Sequence, residues 1–423
     1  MITIFSITLF YKEDGDMDNE IIIDKGCGLD VHKETVVACV MGSGIKKDIR
    51  TFSTRTNDLL RLKTWLSGLG ITHVAMESTG PYWKPVFNVL EDGFTLILAN
   101  ARHIKNVPGR KTDVKDSEWI CRLLRSGLLS ASFVPPQGIR ELRDLTRYRR
   151  KLTQSLSAEK NRIQKVLEDA NVKISSVLSD TFGASGSQMI EAIMEGKLTE
   201  AEMADLAKGR LKSKKEEIRE ALVGYFQEHH RFMIKASLEH IKYLEKLIAD
   251  LDQETKKKLS HYQKEYELLQ TIPGVKEQGA TAIIAEIGAD MGIFPSEGHL
   301  STWAGMSPGN NESAGKKKSG KTAHGNKNLK AALTQCAWAA SRTKNTYLSA
   351  KYHSLVGRRG KKRALIAVGH KILVMAYHMI KNGVPYKELG KDYLLHRRAD
   401  RIVKNHIKRL RDLGYEVELK KAA

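Results

Sequence analysis

The segment Cys27-Gly-Leu-Asp-Val-His-Lys-Glu-Thr-Val-Val-Ala-Cys-Val40 puts one carboxylate, Asp30, inside an apolar strand–turn–strand pattern. An ionised carboxylate in apolar surroundings is tolerated when it is paired or holds a metal. More acids follow in the same third of the chain. Glu77 closes His73-Val-Ala-Met-Glu77, and Asp113 and Asp116 lie three apart in Lys111-Thr-Asp-Val-Lys-Asp116. Carboxylates brought together repel unless a divalent cation sits between them. Asp30, Glu77, Asp113 and Asp116 therefore read as a four-carboxylate Mg²⁺ site. Such a site orients a nucleophilic oxygen and stabilises the leaving oxygen of a phosphodiester. Each acid also has an ordinary alternative, Asp113 and Glu77 as partners of a helix N-terminus and neighbouring His32 as a hydrogen-bonding residue.

A second group with chemical potential lies in Trp303-Ala-Gly-Met-Ser-Pro-Gly-Asn-Asn-Glu-Ser-Ala-Gly-Lys-Lys-Lys-Ser-Gly320 and His324-Gly-Asn-Lys-Asn-Leu-Lys330. A glycine-rich loop bearing Lys316, Lys317, Lys318, Lys321 and Lys327 brings amides and ammonium groups onto a phosphate. Serine is a weak nucleophile until its proton is removed, and nearby cations stabilise the charge that develops. Composition does not separate Ser313 from Ser307 or Ser319. Three other stretches look phosphate-seeking: the connector carrying Arg110 and Lys111, the run Arg358, Arg359, Lys361 and Lys362, and a Pro-Gly turn at Gly274. That turn joins two helical stretches, Leu268 to Val275 and Gly279 to Gly288, in the form of a helix-hairpin-helix.

Elements must position these groups. Strand patterns run through Gly28–Val31, Thr35–Val40 and Ile45–Phe52, joined at Gly42-Ser-Gly44. An amphipathic helix over Thr56–Leu69, a strand at His73–Glu77, a helix over Pro81–Leu90 and a strand at Thr95–Ala99 follow. Asp113 and Asp116 fall on one face of a helix running to about Leu124. Three meander strands followed by helix–strand alternation make an α/β layer of ribonuclease-H-like order. Pro135-Pro136 ends it. Two long helical stretches, Ile139–Val172 and Lys214–Lys258, then form a coiled-coil-like middle, with Arg140, Arg143, Arg147, Arg149 and Arg150 crowding the first and a loop at Ser179–Ser187 between them. The expected organisation is an extension over 1–20, an α/β domain over 21–136, a helical region over 137–262, a mainly helical domain over 263–390 and a basic helical tail over 391–423.

The 423-residue chain is 41% hydrophobic, long enough for two or three domains, and carries a formal charge of +21, so a polyanion is the expected partner. From Ala314 to Lys387 there are 17 Lys and Arg and no acid, a one-sign block unlike an ordinary mixed surface. Four scattered cysteines without CxxC spacing exclude a zinc ribbon or disulfide framework and fit the cytoplasm. The apolar start Met1–Phe10 lacks a basic flank and is too short to span a bilayer, so no membrane partner is expected.

Three motifs, Gly28-Leu-Asp-Val-His-Lys33, Met76-Glu-Ser-Thr-Gly-Pro-Tyr-Trp83 and Lys111-Thr-Asp-Val-Lys-Asp-Ser117, resemble those of the RuvC-like DEDD domain of IS110- and IS1111-type transposases. Ala304-Gly-Met-Ser-Pro308, Glu312-Ser-Ala-Gly315 and His324-Gly-Asn-Lys-Asn-Leu329 are similar to the C-terminal domain of the same family. The resemblance implies that Asp30, Glu77, Asp113 and Asp116 bind metal and that Ser313 is the nucleophile. In the family Gly commonly follows that serine, where this chain has Ala314 and then Gly315. It further implies DNA as substrate, a noncoding bridge RNA as guide and a homo-oligomer. Two rivals are a RuvC-like nuclease in which water cuts, and a non-catalytic nucleic-acid-binding remnant of an element.

Overall fold

In the computed structural model the described residues are 22–78, 80–101, 104, 107, 115–309, 311–313, 316–319, 321–322 and 324–418, with side chains described for all of these except 311–313, 316–319, 398 and 400–402. The chain divides into two compact units, Met1–Val134 and Pro135–Ala423.

The first unit is built on a five-stranded sheet of order β3-β2-β1-β4-β5. Strands β1 (Gly26–Val31), β2 (Thr35–Gly42) and β3 (Ile45–Ser53) form an antiparallel meander, and β4 (His73–Glu77) and β5 (Thr95–Ala99) add in parallel beyond β1. The strand expectations hold to within two residues at each end. Side chains alternate across a sheet, and here both faces are covered. Cys27, Leu29, Val36, Ala38, Val74 and Met76 enter a core with helices α1 (Thr56–Gly68) and α2 (Trp83–Leu90). Leu59, Leu62 and Leu66 of α1 are essentially inaccessible, each contributing about 2 kcal/mol by leaving water. The opposite face, with Ala75 and Ala99, is covered by α3 (Asp116–Arg125) through Trp119, Ile120, Leu123 and Leu124.

The second unit is helical apart from a small hairpin. Its longest helices, α4 (Gln137–Asp169) and α9 (Glu228–Leu259), run antiparallel, as the pairs Glu141–Lys258, Arg149–Asp252, Glu159–His240 and Asp169–His230 require. Between them α5 (Ile174–Val177), α6 (Ala184–Glu195), α7 (Glu200–Asp205) and α8 (Lys215–Leu222) close one end around Ile163, Leu167, Met189, Ile190, Ile218 and Ile234. Two sequence expectations change here. The loop expected at Ser179–Ser187 already contains the start of α6, and the single helix expected over Lys214–Lys258 is two. The break has a cause: residues 221–225 lie along 170–173, with Tyr225 N–H donating to Ala170 O (2.8 Å) and Lys173 N–H to Ala221 O (2.7 Å). A side chain at Gly224 would come within 2.6 Å of Ala170 O.

Beyond α9, α10 (Gln263–Gln270) and α11 (Glu277–Ile287) flank the Pro273-Gly274 turn. Then follow α12 (Glu297–Trp303), the hairpin β6 (Asn311–Ser313) and β7 (Lys316–Ser319), α13 (Lys327–Arg342), α14 (Tyr347–Arg359), α15 (Lys361–Asn382) and α16 (Tyr393–Asp412). Among the described residues one helix, α15, is long and apolar enough to cross a membrane by length and composition. Its Val368, Ile372, Leu373, Ala376 and Tyr377 are instead buried in the unit's core, where it packs on α12, α13 and α14.

Candidate active site

Asp30 is placed by strand register and by one glycine. Gly28 lies opposite Ala75 and Leu29 opposite Met76 in the parallel β1–β4 pair. Cys27 and Leu29 therefore face α1 and α2, while Gly28 and Asp30 face α3. Glu77, two residues past Ala75, shares that face and that end of the sheet. The backbone of α3 comes so close over Gly28 that a Cβ there would be 2.2 Å from Ser117 O and 2.4 Å from Cys121 N. That approach delivers Asp116, the first residue of α3, to the acids on the sheet. Burial pushes the Asp30 carboxyl up, His32 pulls it back, and the charges of Asp116 and Glu77 push it up further. His32 Nε2 lies 3.1 Å from Asp30 Oδ2, with the Asp30 side chain 26% exposed.

Asp113 lies outside the described residues, as do Arg110 and Lys111. Of the helix expected to carry Asp113 and Asp116, the described part begins at Asp116, with Lys115 extended before it.

Sequence reasoning passed over two supporting residues. Gly28 carried a signal, a residue without a side chain two positions before a half-buried acid. Glu118 carried none, being one acid among several at a helix start. Its side chain is 8% exposed, 3.2 Å from Lys47 Nζ and 2.8 Å from Arg122. Burial works against its charge, but hydrogen bonds from Arg122 and Lys47 outweigh it and hold the carboxyl below its usual range. This pairing fastens the first turn of α3 to β3. Beneath it the Cys121 thiol donates to Gly26 O of β1 (3.3 Å).

A family model for the DEDD domain of IS110-type elements, described as a transposase, matches residues 27–172. A second, described as a transposase of the IS116/IS110/IS902 family, matches residues 266–353. The chain belongs to the IS110 family of transposases. It is a DNA transposase, and its DEDD domain implies a divalent metal ion. No curated protein matches this transposase.

The carboxylates brought together in the first unit fit such an ion. Asp30, Glu77 and Asp116 offer hard oxygen donors, and the mutual repulsion that raises Asp30 is what a cation relieves. Among the described residues one grouping, Asp169, His229 and His230, has ligand atoms all within 4.8 Å of one another, closer together than those of Asp30, Glu77 and Asp116. His230 Nδ1 accepts the Gln227 N–H (3.0 Å), so its proton is on Nε2, facing Asp169 at 3.0 Å. With both ring nitrogens engaged, His230 caps α9 and has no lone pair for a metal.

In the second matched segment the lysine-rich stretch, expected as a loop, forms a hairpin in which Ser313 pairs with Lys316 across β6 and β7. Lys317 and Lys318 are also in β7. Lys321, Lys327, Arg358, Arg359, Lys361 and Lys362 are exposed. Gly274 has φ +85°, and its Cα faces α13 so closely that a Cβ would lie 2.4 Å from Ala340 N. Glycine is needed there for packing, whatever the amides of the turn contact. The Arg crowd of α4 is engaged internally in part. Glu286, 2% exposed, accepts two hydrogen bonds from Arg147 (2.8 Å each) and one from Asn326 (2.6 Å), with Arg143 at 3.3 Å. Burial brings Arg143 down to about 10 against the pull of Glu286.

Proposed function

We propose that the transposase cuts and rejoins DNA by Mg²⁺-assisted serine transesterification. The observation that carries the reading is the meeting of Asp30, Glu77 and Asp116 at one end of the sheet, with Asp30 raised by burial and by its acidic neighbours. These three, with Asp113, would hold the cation. When bound, it would polarise a phosphoryl oxygen and stabilise the leaving oxygen.

The Ser313 hydroxyl is the nucleophile. Its oxygen attacks phosphorus, the phosphorus–oxygen bond to one DNA end breaks, and that end leaves as a hydroxyl carrying the proton. A hydroxyl of another DNA end then attacks the phosphoserine diester, and the serine oxygen regains a proton as it departs. The number of phosphodiester bonds is unchanged, so no nucleotide cofactor is required. Lys316, Lys317 and Lys318 next to the serine stabilise charge on the phosphate. Arg110, Lys111, Lys321, Lys327, Arg358, Arg359, Lys361, Lys362 and the Gly274 turn contact nucleic-acid backbone. A noncoding bridge RNA from the same element selects the sites, and the enzyme works in the cytoplasm as a homo-oligomer. The net charge of +21 supports contact with more than one nucleic acid.

The test is adduct trapping. With Mg²⁺, end-labelled element DNA and the copurified RNA, the wild-type protein is expected to retain label under denaturing conditions, and Ser313→Ala is not. Cutting by Ser313→Ala without any adduct would replace this mechanism with hydrolysis by water at the acids alone. Loss of cutting in Asp30→Asn, Glu77→Gln and Asp116→Asn is expected under either chemistry.

A further inference from the structure

In the second unit α11 packs against both α4 and α13, and the three helices enclose an open groove of about 500 Å³. Its floor carries Gln278, Ala282 and Glu286 of α11. One wall is a stripe of α4: Thr146, Arg150, Thr153, Gln154, Ser157 and Asn161. The other is α13, through Asn328, Ala331, Ala332 and Gln335. The α4 stripe continues into a second hollow lined by Asn161, Arg162 and Lys165. The α13 stripe continues at helical spacing from Ala331 and Gln335 to Trp338, which is 54% exposed. The Arg342 guanidinium lies 3.3 Å from the Trp338 ring centroid.

The chemistry of this groove is one-sided. Glu286 is the only carboxylate among its described lining residues, and its charge is consumed by Arg143 and Arg147. Arg149 is paired with Asp252. Arg150 donates instead to a neutral partner, the Asn328 amide oxygen (2.8 Å), so its charge remains available to a ligand. The rest of the lining is hydroxyls and carboxamides, which donate and accept, and small alanines. A groove with available positive charge, neutral hydrogen-bonding groups and an exposed tryptophan at its end matches a phosphate–sugar strand with unstacked bases.

Width decides between one strand and two. Packed helices lie 8–10 Å apart, so two such steps less one helix diameter leave an opening on the order of 8 Å between the walls. A duplex does not enter such a gap, whereas a single strand does. The α4 wall from Thr146 to Lys165 is about 28 Å long, enough for several nucleotides.

We propose that this groove binds a single strand of DNA, with Arg150 and Lys165 on phosphates and Trp338 stacking a base. The inference rests on DNA being the substrate and is independent of the serine chemistry. For a protein that exchanges strands, the groove holds an end that has lost its partner.

The test measures binding, so it stays informative even when cutting fails. Fluorescence anisotropy of the full chain is followed with a labelled oligothymidylate, a DNA duplex and a single-stranded RNA of equal length. Trp338→Ala is expected to weaken oligothymidylate binding at least fivefold, the lower end for one lost stacked base. Arg150→Gln with Lys165→Gln is expected to lower the salt slope for the single strand by about 1.4, or 0.7 per cation removed. Duplex affinity should change less than twofold in both. Because Arg150 also ties α4 to α13, a second variant uses the exposed positions Ser157→Glu and Asn161→Glu, which add negative charge on a helix surface and remove only the Ser157 hydroxyl's bond within α4 to Thr153 O (3.0 Å). That variant is expected to lose single-strand binding to a similar degree. Unchanged single-strand binding in folded variants overturns the proposal, as does an equal loss on duplex or a loss confined to RNA.

Discussion

Gly28→Ala tests whether the close approach of α3 to β1 assembles the acidic site. The added methyl would sit 2.2 Å from Ser117 O, 2.4 Å from Cys121 N and 2.9 Å from Cys121 Cα, all backbone atoms that no rotamer change can move. Ordinary contact begins near 3.4 Å, so α3 must retreat by about 1 Å at its N-terminal end. Overpacking of this kind costs about 1–3 kcal/mol, read in a small unit as a fall of roughly 5–20 °C in melting temperature. Asp116 moves with the helix, and a misplacement of about 1 Å is worth on the order of 100-fold in rate. Mg²⁺-dependent strand cleavage, assayed well below the variant's melting temperature, should fall by that factor and recover in part at higher Mg²⁺. Gly68→Ala is the control, since nothing lies within 4 Å of a Cβ there and alanine favours the helix. If Gly28→Ala melted and cut like wild type, the placement of Asp116 by this contact would be wrong.

Asp30→Asn should abolish cleavage without lowering stability. The folded Asp30 carboxyl lies above its ordinary value, so its protonated form favours folding and that benefit is lost as pH rises through the folded value. In EDTA at neutral pH the variant should melt no lower than wild type, with the difference closing below about pH 3, where Asp is largely neutral in both states. Added Mg²⁺ should raise the melting temperature of wild type alone, and a lower melting temperature of the variant in EDTA would contradict this. Glu286→Ala leaves Arg143 and Arg147 without their buried partner; a loss of about 3 kcal/mol or more in urea unfolding is expected, and a loss under 1 kcal/mol would refute the pairing's role. All four thiols are buried, and burial pushes the Cys27 and Cys336 thiols up. An aromatic disulfide reagent should therefore label none of them until the chain unfolds, and rapid labelling of Cys27, Cys39 or Cys121 in the native protein would show the sheet–α3 core to be open.

Local order was legible in the sequence because its causes are local. Alternating apolar residues and the Gly42–Gly44 turn define β1 to β3, while β4, β5 and α1 follow from short apolar runs and a leucine stripe bounded by polar turns. Asp30 stood out because a carboxylate inside such a strand demands compensation. The hairpin of 311–319 was not legible: its Gly, Ser and Lys composition has no apolar alternation, and its pairing comes from the backbone.

What tertiary structure alone decided is which groups meet. Glu77 reaches Asp30 through the register of parallel strands distant in sequence, and Asp116 through a helix whose seat is set by a missing side chain at Gly28. On sequence, Arg143 and Arg147 look like the rest of a basic helix face. Folding places Glu286 against them and leaves Arg150 facing a groove that no local pattern encodes. The periodicity of a chain fixes which face a residue occupies, but a partner far along the chain is chosen by packing, where backbone approach and the cost of unpaired buried charge select among faces that look alike in one dimension.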